Sequence, residues 1–187
     1  VKKMNENQGF VTIVRICETN LSHAQLDHLD SIFFDASATR AFESAEVKAA
    51  FRKRWLGNYL EHRREHGFVA FGPDTMPIGY LVGSLVDPAL DPLQAEIGYF
   101  RDLASHTAGY PAHLHINLAS GYRSQGLGGR LVESFCIHAR AAGAPGVHVV
   151  TGAGMRNVGF YQRWGFAEVV RFDWNGRPLV LLGRRLG

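Results

Sequence analysis

The chain has 187 residues, with 20 Lys+Arg against 17 Asp+Glu and a formal net charge of +3. Hydrophobic residues at 46% and charged residues at 20% exclude a disordered chain, and the length suits one domain spanning residues 1–187. The mild positive balance permits an anionic ligand without requiring nucleic acid. Cys17 and Cys136 form no CxxC pair, which excludes a disulfide scaffold and suits a reducing, cytoplasmic setting. No run approaches the ~18 apolar residues of a membrane helix. Residues 1–10 lack the apolar centre of a secretory signal; they are expected to be a flexible or extraneous leader, with Met4 the natural start.

Residues 11–17 read as a first strand, alternating through Val11 and Ile13 and, across a slip, Val14 and Ile16. Ser22 and Gln25 match a capping box, so a helix is predicted to run from Ser22 to about Ala36, burying Leu26, Leu29, Ile32 and Phe33. A second helix is predicted over residues 44–66, with Val47, Phe51, Trp55, Tyr59 and Leu60 as its buried stripe and Gly67 as its stop. Its other face carries Lys48, Arg52, Lys53, Arg54, Arg63 and Arg64. That face reads as solvated, or as a cationic rim that would attract an acidic acceptor. Residues 68–71 and 77–86 form a hairpin pair around Gly72-Pro73-Asp74. Residues 87–110 read as an extended, partly ordered excursion of the kind that is often functional.

A strand is predicted over residues 113–118, with Leu114, Ile116 and Leu118 on one face and His113, His115 and Asn117 on the other. A helix follows to about Ala142, with Leu127, Leu131, Phe135 and Ala139 in one stripe. Residues 146–151 form a strand, residues 155–164 a short helix, and residues 167–174 and 178–184 a hairpin around Asn175-Gly176. The order implies an α/β chain of the α+β type, with a mixed sheet.

Glycine is the compositional anomaly: 21 residues against about 13 expected at an average of ~7%. Ten of them fall between Gly121 and Gly165. The run Gly121-Tyr122-Arg123-Ser124-Gln125-Gly126-Leu127-Gly128-Gly129 links a strand to a helix. Such a turn offers backbone N–H groups and a helix N-terminus to phosphate, and Arg123 and Arg130 can add charge-assisted bonds. A Walker A run is absent, and Leu131 stands where a dinucleotide fingerprint needs its third Gly.

The remaining pattern, Arg123-x-x-Gly126-x-Gly128, resembles the acyl-CoA pyrophosphate loop of the GNAT superfamily of N-acetyltransferases. The strand His115-Ile116-Asn117-Leu118 before it and the run Phe160-Tyr161-Gln162-Arg163-Trp164-Gly165-Phe166 after it match the same family's pattern. The resemblance covers about residues 113–166 by motif and the rest by topology. It implies a GNAT-like fold with a mostly antiparallel central sheet of about seven strands flanked by helices. Two positions depart from the pattern, with Gly154 and Asn157 standing where many members carry Asn and Ala. The stretch 110–116 also looks like bacterial acetyltransferases related to the acetyltransferase-like domain of O-GlcNAcase.

The resemblance implies direct attack of an amine on acetyl-CoA, the co-substrate, with no metal. Cofactor contacts fall on Leu118, Ala119, Ser120, Arg123, Ser124, Gln125, Gly126, Leu127, Gly128, Gly129 and Asn157. The backbone near Leu118, where the strand is expected to bulge from its neighbour, would polarise the thioester. Tyr161 is the candidate acid for the leaving thiolate, since a phenol holds its proton at neutral pH. His113, His115, Asn117 and Glu96 are candidates for the base or for acceptor contacts, and Asp102 also lies in the excursion. The expected partners are acetyl-CoA and an amine of a small molecule, peptide or protein, with a homodimer left open. The alternative is a non-catalytic acetyl-CoA-binding or protein-interaction module on the same fold. Nucleic-acid binding by the 52–64 face is disfavoured because that face lacks aromatic residues. The H-x-x-E-H run His62–His66 reads as part of a solvated face rather than a zinc site, and both cysteines read as small core residues.

Overall fold

The structure, a computed structural model, describes residues 11–187, so the expectation for residues 1–10 lies outside the described residues. Its centre is a seven-stranded sheet in the order β1-β2-β3-β4-β5-β7-β6. The strands are β1 (Thr12–Arg15), β2 (Phe68–Phe71), β3 (Pro77–Ser84), β4 (Ala112–Leu118), β5 (Gly146–Gly152), β6 (Ala167–Trp174) and β7 (Arg177–Arg185). Every neighbouring pair is antiparallel except β4 and β5, which run parallel. The expected mixed, mostly antiparallel sheet is the one found.

Helix α1 (His23–Ala36) starts as its sequence dictates. The Ser22 hydroxyl accepts the Gln25 N–H at 3.3 Å, and the Gln25 side chain accepts the Ser22 N–H at 2.9 Å. Next come α2 (Ala45–Arg52), a π-helical turn (Lys53–Gly57) and α3 (Asn58–His62) in one continuous coil. The π turn holds an extra residue, so the buried stripe changes phase within it. Val47 is therefore 46% exposed rather than part of the stripe, while Leu56 and Tyr59 are buried. The helical path ends at Arg63, and residues Arg64–His66 form a 3-10 turn.

The two faces of the sheet are covered differently. On one face α6 (Leu127–Ala141) and α7 (Arg156–Arg163) pack Leu131, Phe135 and Tyr161 against Leu114, Val149 and Leu182. On the other, α1 and the α2–α3 coil pack Leu29, Ile32, Phe33, Leu56 and Tyr59 against Val69, Tyr80 and Val82. The predicted faces of β4 hold: Leu114, Ile116 and Leu118 join the α6 side, and His113 and His115 meet Tyr59.

Several local expectations are corrected. The first strand stops at Arg15, because Ile16 turns its N–H to Gly67 O at 2.9 Å and opens a 3-10 turn. Residues 87–110 are not an extended excursion. They fold into a 3-10 turn (Pro92–Gln94) and two short helices, α4 (Tyr99–Asp102) and α5 (Ala104–Thr107). Ile97, Tyr99, Phe100 and Leu103 anchor them against Leu181, Phe172 and Trp174 of the last hairpin. Cys17 is exposed; only Cys136 is a core residue.

Candidate active site

The parallel pair β4 and β5 touches only at Ala112–Val147 and His113–His148. Beyond those residues the strands part. β4 stays in regular register with β3 through Leu118, so the separation occurs wholly on the β5 side. The resulting cleft has a volume of about 340 Å³. Ile116, Asn117, Val150 and Thr151 line its strand edges, α1 and the α2–α3 coil contribute Phe33, Phe51 and Trp55, and α7 contributes Asn157 and Tyr161.

The strand edge on the cleft side carries free donors. Ala119 N–H bonds Ile78 O at 3.0 Å, and antiparallel pairing alternates along the strand. The odd-numbered residues of β4 therefore bond β3, and the N–H groups of Ile116 and Leu118 point towards the parted β5. The backbone expected to donate near Leu118 lies on this edge, and no bulge away from β3 marks it. The Leu118 carbonyl is occupied by Arg123 Nε at 3.0 Å.

At the end of β4 the glycine-rich loop enters α6. The first bond of the helix runs from Arg130 N–H to Gly126 O. Among the described residues, the six N–H groups from Ser124 to Gly129 meet no protein acceptor. Ser124 and Gly126 both have positive φ, at 62° and 83°, which folds the chain into a concave array of amides. The loop side chains are exposed, and open space surrounds Gly126. Gln125 Nε2 braces the turn on Gly121 O at 2.7 Å. The residues present suit a pyrophosphate: unpaired amides at the N-terminus of a 15-residue helix. The three loop glycines divide by task. A Cβ on Gly129 would lie 1.6 Å from the Trp164 ring, and one on Gly128 3.3 Å from Phe160. Those two let α6 approach α7, and only Gly126 shapes the exposed loop.

Beneath the cleft lies a polar hub. The Tyr59 hydroxyl is 3.0 Å from Gln94 Nε2, 3.0 Å from His113 Nε2 and 3.2 Å from His115 Nε2. Gln94 can only donate there, and a hydroxyl has one proton, so one histidine must donate and the other accept. His113 Nδ1, the ring nitrogen away from Tyr59, is buried and meets no hydrogen-bond partner. Either His115 Nε2–H donates to Tyr59 and the Tyr59 O–H to His113, which leaves a bare lone pair on His115 Nδ1, or the two histidines exchange roles. Burial lowers the basicity of both, His113 well below the usual histidine value and His115 to about 4. His148, which burial also brings to about 4, lies behind them at 5.7 Å from the His113 ring. Asn117 Nδ2 donates to the Tyr80 hydroxyl at 2.8 Å.

The acetyltransferase (GNAT) family profile matches residues 26–166. The chain belongs to that family. Solved structures agree in fold. SsHAT superposes with a TM-score of 0.73 at 21% identity, covering 95% of this chain and 98% of that one. An N-acetyltransferase from Staphylococcus aureus Mu50 gives 0.62 at 14% identity, covering 96% and 100%. A chain of the NatC complex bound to Gag peptide and CoA gives 0.56 at 17% identity, covering 95% and 99%. At these identities the likeness is one of fold. The seven-stranded sheet and parted central strands are those of a GNAT domain.

Within the GNAT fold, the other predicted residues sort clearly. Tyr161 lines the cleft, and burial pushes its phenol above the usual value, so it keeps its proton. Asn157 bonds the Thr151 hydroxyl through Nδ2 at 2.8 Å. Glu96 does not line the cleft; it is exposed and paired with Arg54 at 2.9 Å. Asp102 is also exposed. The basic face is largely satisfied internally: Arg52 pairs with Asp30 at 2.7 Å and Arg63 with Asp91 at 3.2 Å. Arg64 bonds the carbonyls of Ile16 and Thr19, and Lys48 sits 4.4 Å over the Phe34 ring. That corrects the free cationic rim. The H-x-x-E-H run is broken at Arg63, and His66 Nδ1 faces His138 Nε2 at 2.9 Å. Among the described residues no three metal-ligating side chains gather, and no helix is long and apolar enough to cross a membrane. Sequence reasoning missed Tyr59 as the hub, Trp55 as a cleft wall and Thr151 as the partner of Asn157. Tyr59 and Trp55 had been assigned only to a buried stripe, and nothing in their spacing marks the π turn.

Proposed function

We propose that this GNAT protein is an N-acetyltransferase that moves an acetyl group from acetyl-CoA to an amine. The observation that carries this is the continuity of two sets of unpaired amides: those at the β4 edge and those of residues 124–129 at the start of α6. The first suits the pantetheine arm and thioester, the second the pyrophosphate. Leu118, Ala119 and Ser120 lead from one to the other, and Arg123, Ser124, Gln125 and Gly126 form the anion-binding turn. Leu127, Gly128 and Gly129 supply amides from the first turn of the helix. Asn157 would stand over the arm from α7.

Acetyl-CoA supplies the activated acyl group: the amine nitrogen bonds to the thioester carbon and the carbon–sulfur bond breaks. The Leu118 N–H lies at the β4 edge to stabilise the carbonyl oxygen as it gains charge. In the tautomer that leaves its Nδ1 bare, His115, neutral at pH 7, accepts the proton that the nitrogen sheds as its bond forms. Tyr161, protonated, gives its proton to the departing sulfur. His113 touches no cleft surface and acts through Tyr59. Asn117 lines the cleft and is held by Tyr80. Kinship with the bacterial group related to the acetyltransferase-like domain of O-GlcNAcase is part of this reading and rests on residues 110–116. So does a cytoplasmic location, which rests on cysteine usage.

The test is calorimetric binding of acetyl-CoA together with thiol release against a broad amine panel. Binding with amine-dependent release supports the transferase. Binding without release from any amine would favour the non-catalytic module.

A further inference from the structure

The acceptor side of the cleft has a composition that selects its amine; the argument rests on the transferase reading. With the strand edges and α7 given to the acyl donor, the acceptor is left the wall formed by α1 and the α2–α3 coil. That wall is aromatic. Phe33 and Phe51 pack at 5.5 Å between ring centres, and Trp55 stands edge-on to His115 at 5.1 Å. Trp55 occupies the middle of the π-helical turn Lys53–Gly57. Such turns recur at functional sites because the extra residue redirects a side chain.

Charge is the second observation. No Asp, Glu, Lys or Arg lines the cleft. Two acidic groups are already paired with basic residues of the α2–α3 coil, Asp30 with Arg52 and Glu96 with Arg54. His115 and the more deeply placed His113 and His148 are kept neutral by burial. A second ammonium or a carboxylate on the acceptor would meet only neutral polar groups there, Thr39, Asn117, Thr151 and Asn157 among them, and no opposite charge to offset the water it gives up. An apolar pocket also depresses the pKa of the reacting ammonium itself, easing release of its proton. Size is the third. About 340 Å³ must hold the acyl arm as well, which leaves room for a small body.

We propose that the acceptor is a small primary amine with a single nitrogen charge and an aromatic or branched hydrocarbon body seated against Phe33, Phe51 and Trp55. Trp55 is then a specificity-determining residue.

The experiment measures thiol release by the full chain at saturating acetyl-CoA for matched amines. 2-Phenylethylamine and isopentylamine represent the proposed class. Phenylalanine adds a carboxylate to the same ring, putrescine adds a second ammonium, and a tripeptide beginning with Phe adds a chain. The expected kcat/KM is at least 100-fold higher for 2-phenylethylamine than for phenylalanine, putrescine or the peptide. Trp55→Ala should raise KM for 2-phenylethylamine at least tenfold with acetyl-CoA affinity unchanged. Thr39→Asp, at the half-buried lip where folding is little affected, should raise putrescine use at least tenfold. Comparable or better use of phenylalanine, putrescine or the peptide overturns the proposal, as does an unchanged amine profile in both variants. If no amine turns over, the transferase reading fails separately. Calorimetry of the same amines on the CoA-loaded protein then decides the cleft: preference for 2-phenylethylamine upholds the selectivity, and equal or absent binding overturns it.

Discussion

Replacing Tyr59 by Phe removes one oxygen and almost no volume, so its effect isolates the hub. Three groups lose their partner: Gln94 Nε2, His113 Nε2 and His115 Nε2. Gln94 and His113 are 2% and 3% exposed, so water cannot replace the bond for either. A buried polar group left unpaired costs about 1–3 kcal/mol, which sums to about 2–4 kcal/mol for these two after local adjustment. For a chain of this length each kcal/mol moves Tm by about 2–4 °C, so the expected drop is about 5–15 °C. The same change removes the hydroxyl that holds the His115 ring in place. The turnover number for thiol release should fall about tenfold or more, with acetyl-CoA affinity preserved. Thermal melting at pH 7, calorimetry of acetyl-CoA and steady-state thiol release read the three quantities. A Tyr59→Phe protein that melts within about 2 °C of the parent and turns over at the parental rate would refute the hub.

Tyr161→Phe should slow thiol release at least tenfold and leave acetyl-CoA affinity within twofold; an unchanged rate removes Tyr161 from proton transfer. The loop glycines should separate by readout. Gly129→Ala drives a methyl into the Trp164 ring and should cost about 3 kcal/mol of stability, seen in urea unfolding. Gly126→Ala meets open space but a φ of 83°, costing only about 1–2 kcal/mol while weakening acetyl-CoA binding as the amide array distorts. Acid should unfold the protein early. The folded-state pKa of His148 is depressed from 6.5 to about 4 by burial, so its contribution is fully present above 6.5 and is lost as pH falls through that window. The loss approaches about 3 kcal/mol by pH 4, and His115 adds to it in the same direction. His148→Phe should flatten the pH dependence of Tm between 6.5 and 4; an equally steep dependence in that variant would assign the acid sensitivity elsewhere.

Local chemistry was legible wherever short-range pattern decides conformation. The Ser22–Gln25 capping box, the alternation of His113 to Leu118 and the Asn175-Gly176 turn each specify their geometry from adjacent residues. The turn proposed to bind phosphate was legible as an array of free amides for the same reason, because such an array at a strand-to-helix junction depends on a few consecutive residues. The family profile spans that turn and the 113–118 strand; Ser22–Gln25 and Asn175-Gly176 lie outside it.

Tertiary structure decided the rest. A glycine reads alike in sequence whether it faces an anion or a tryptophan; only the α6–α7 contact assigns Gly129 to packing. The π turn is invisible to a 3.6-residue period, so Trp55 and Tyr59 read as core until the coil is laid over β4. Glu96 looked available as a base until Arg54, 42 positions earlier, was found to hold it on the surface. The sequence by itself determined the mixed sheet, the glycine-rich strand-to-helix loop and which face of β4 is polar, because those depend on neighbours along the chain. Only the folded structure determined the parted strands, the aromatic wall of the cleft and the Tyr59 hub, because those depend on groups brought together across tens of residues.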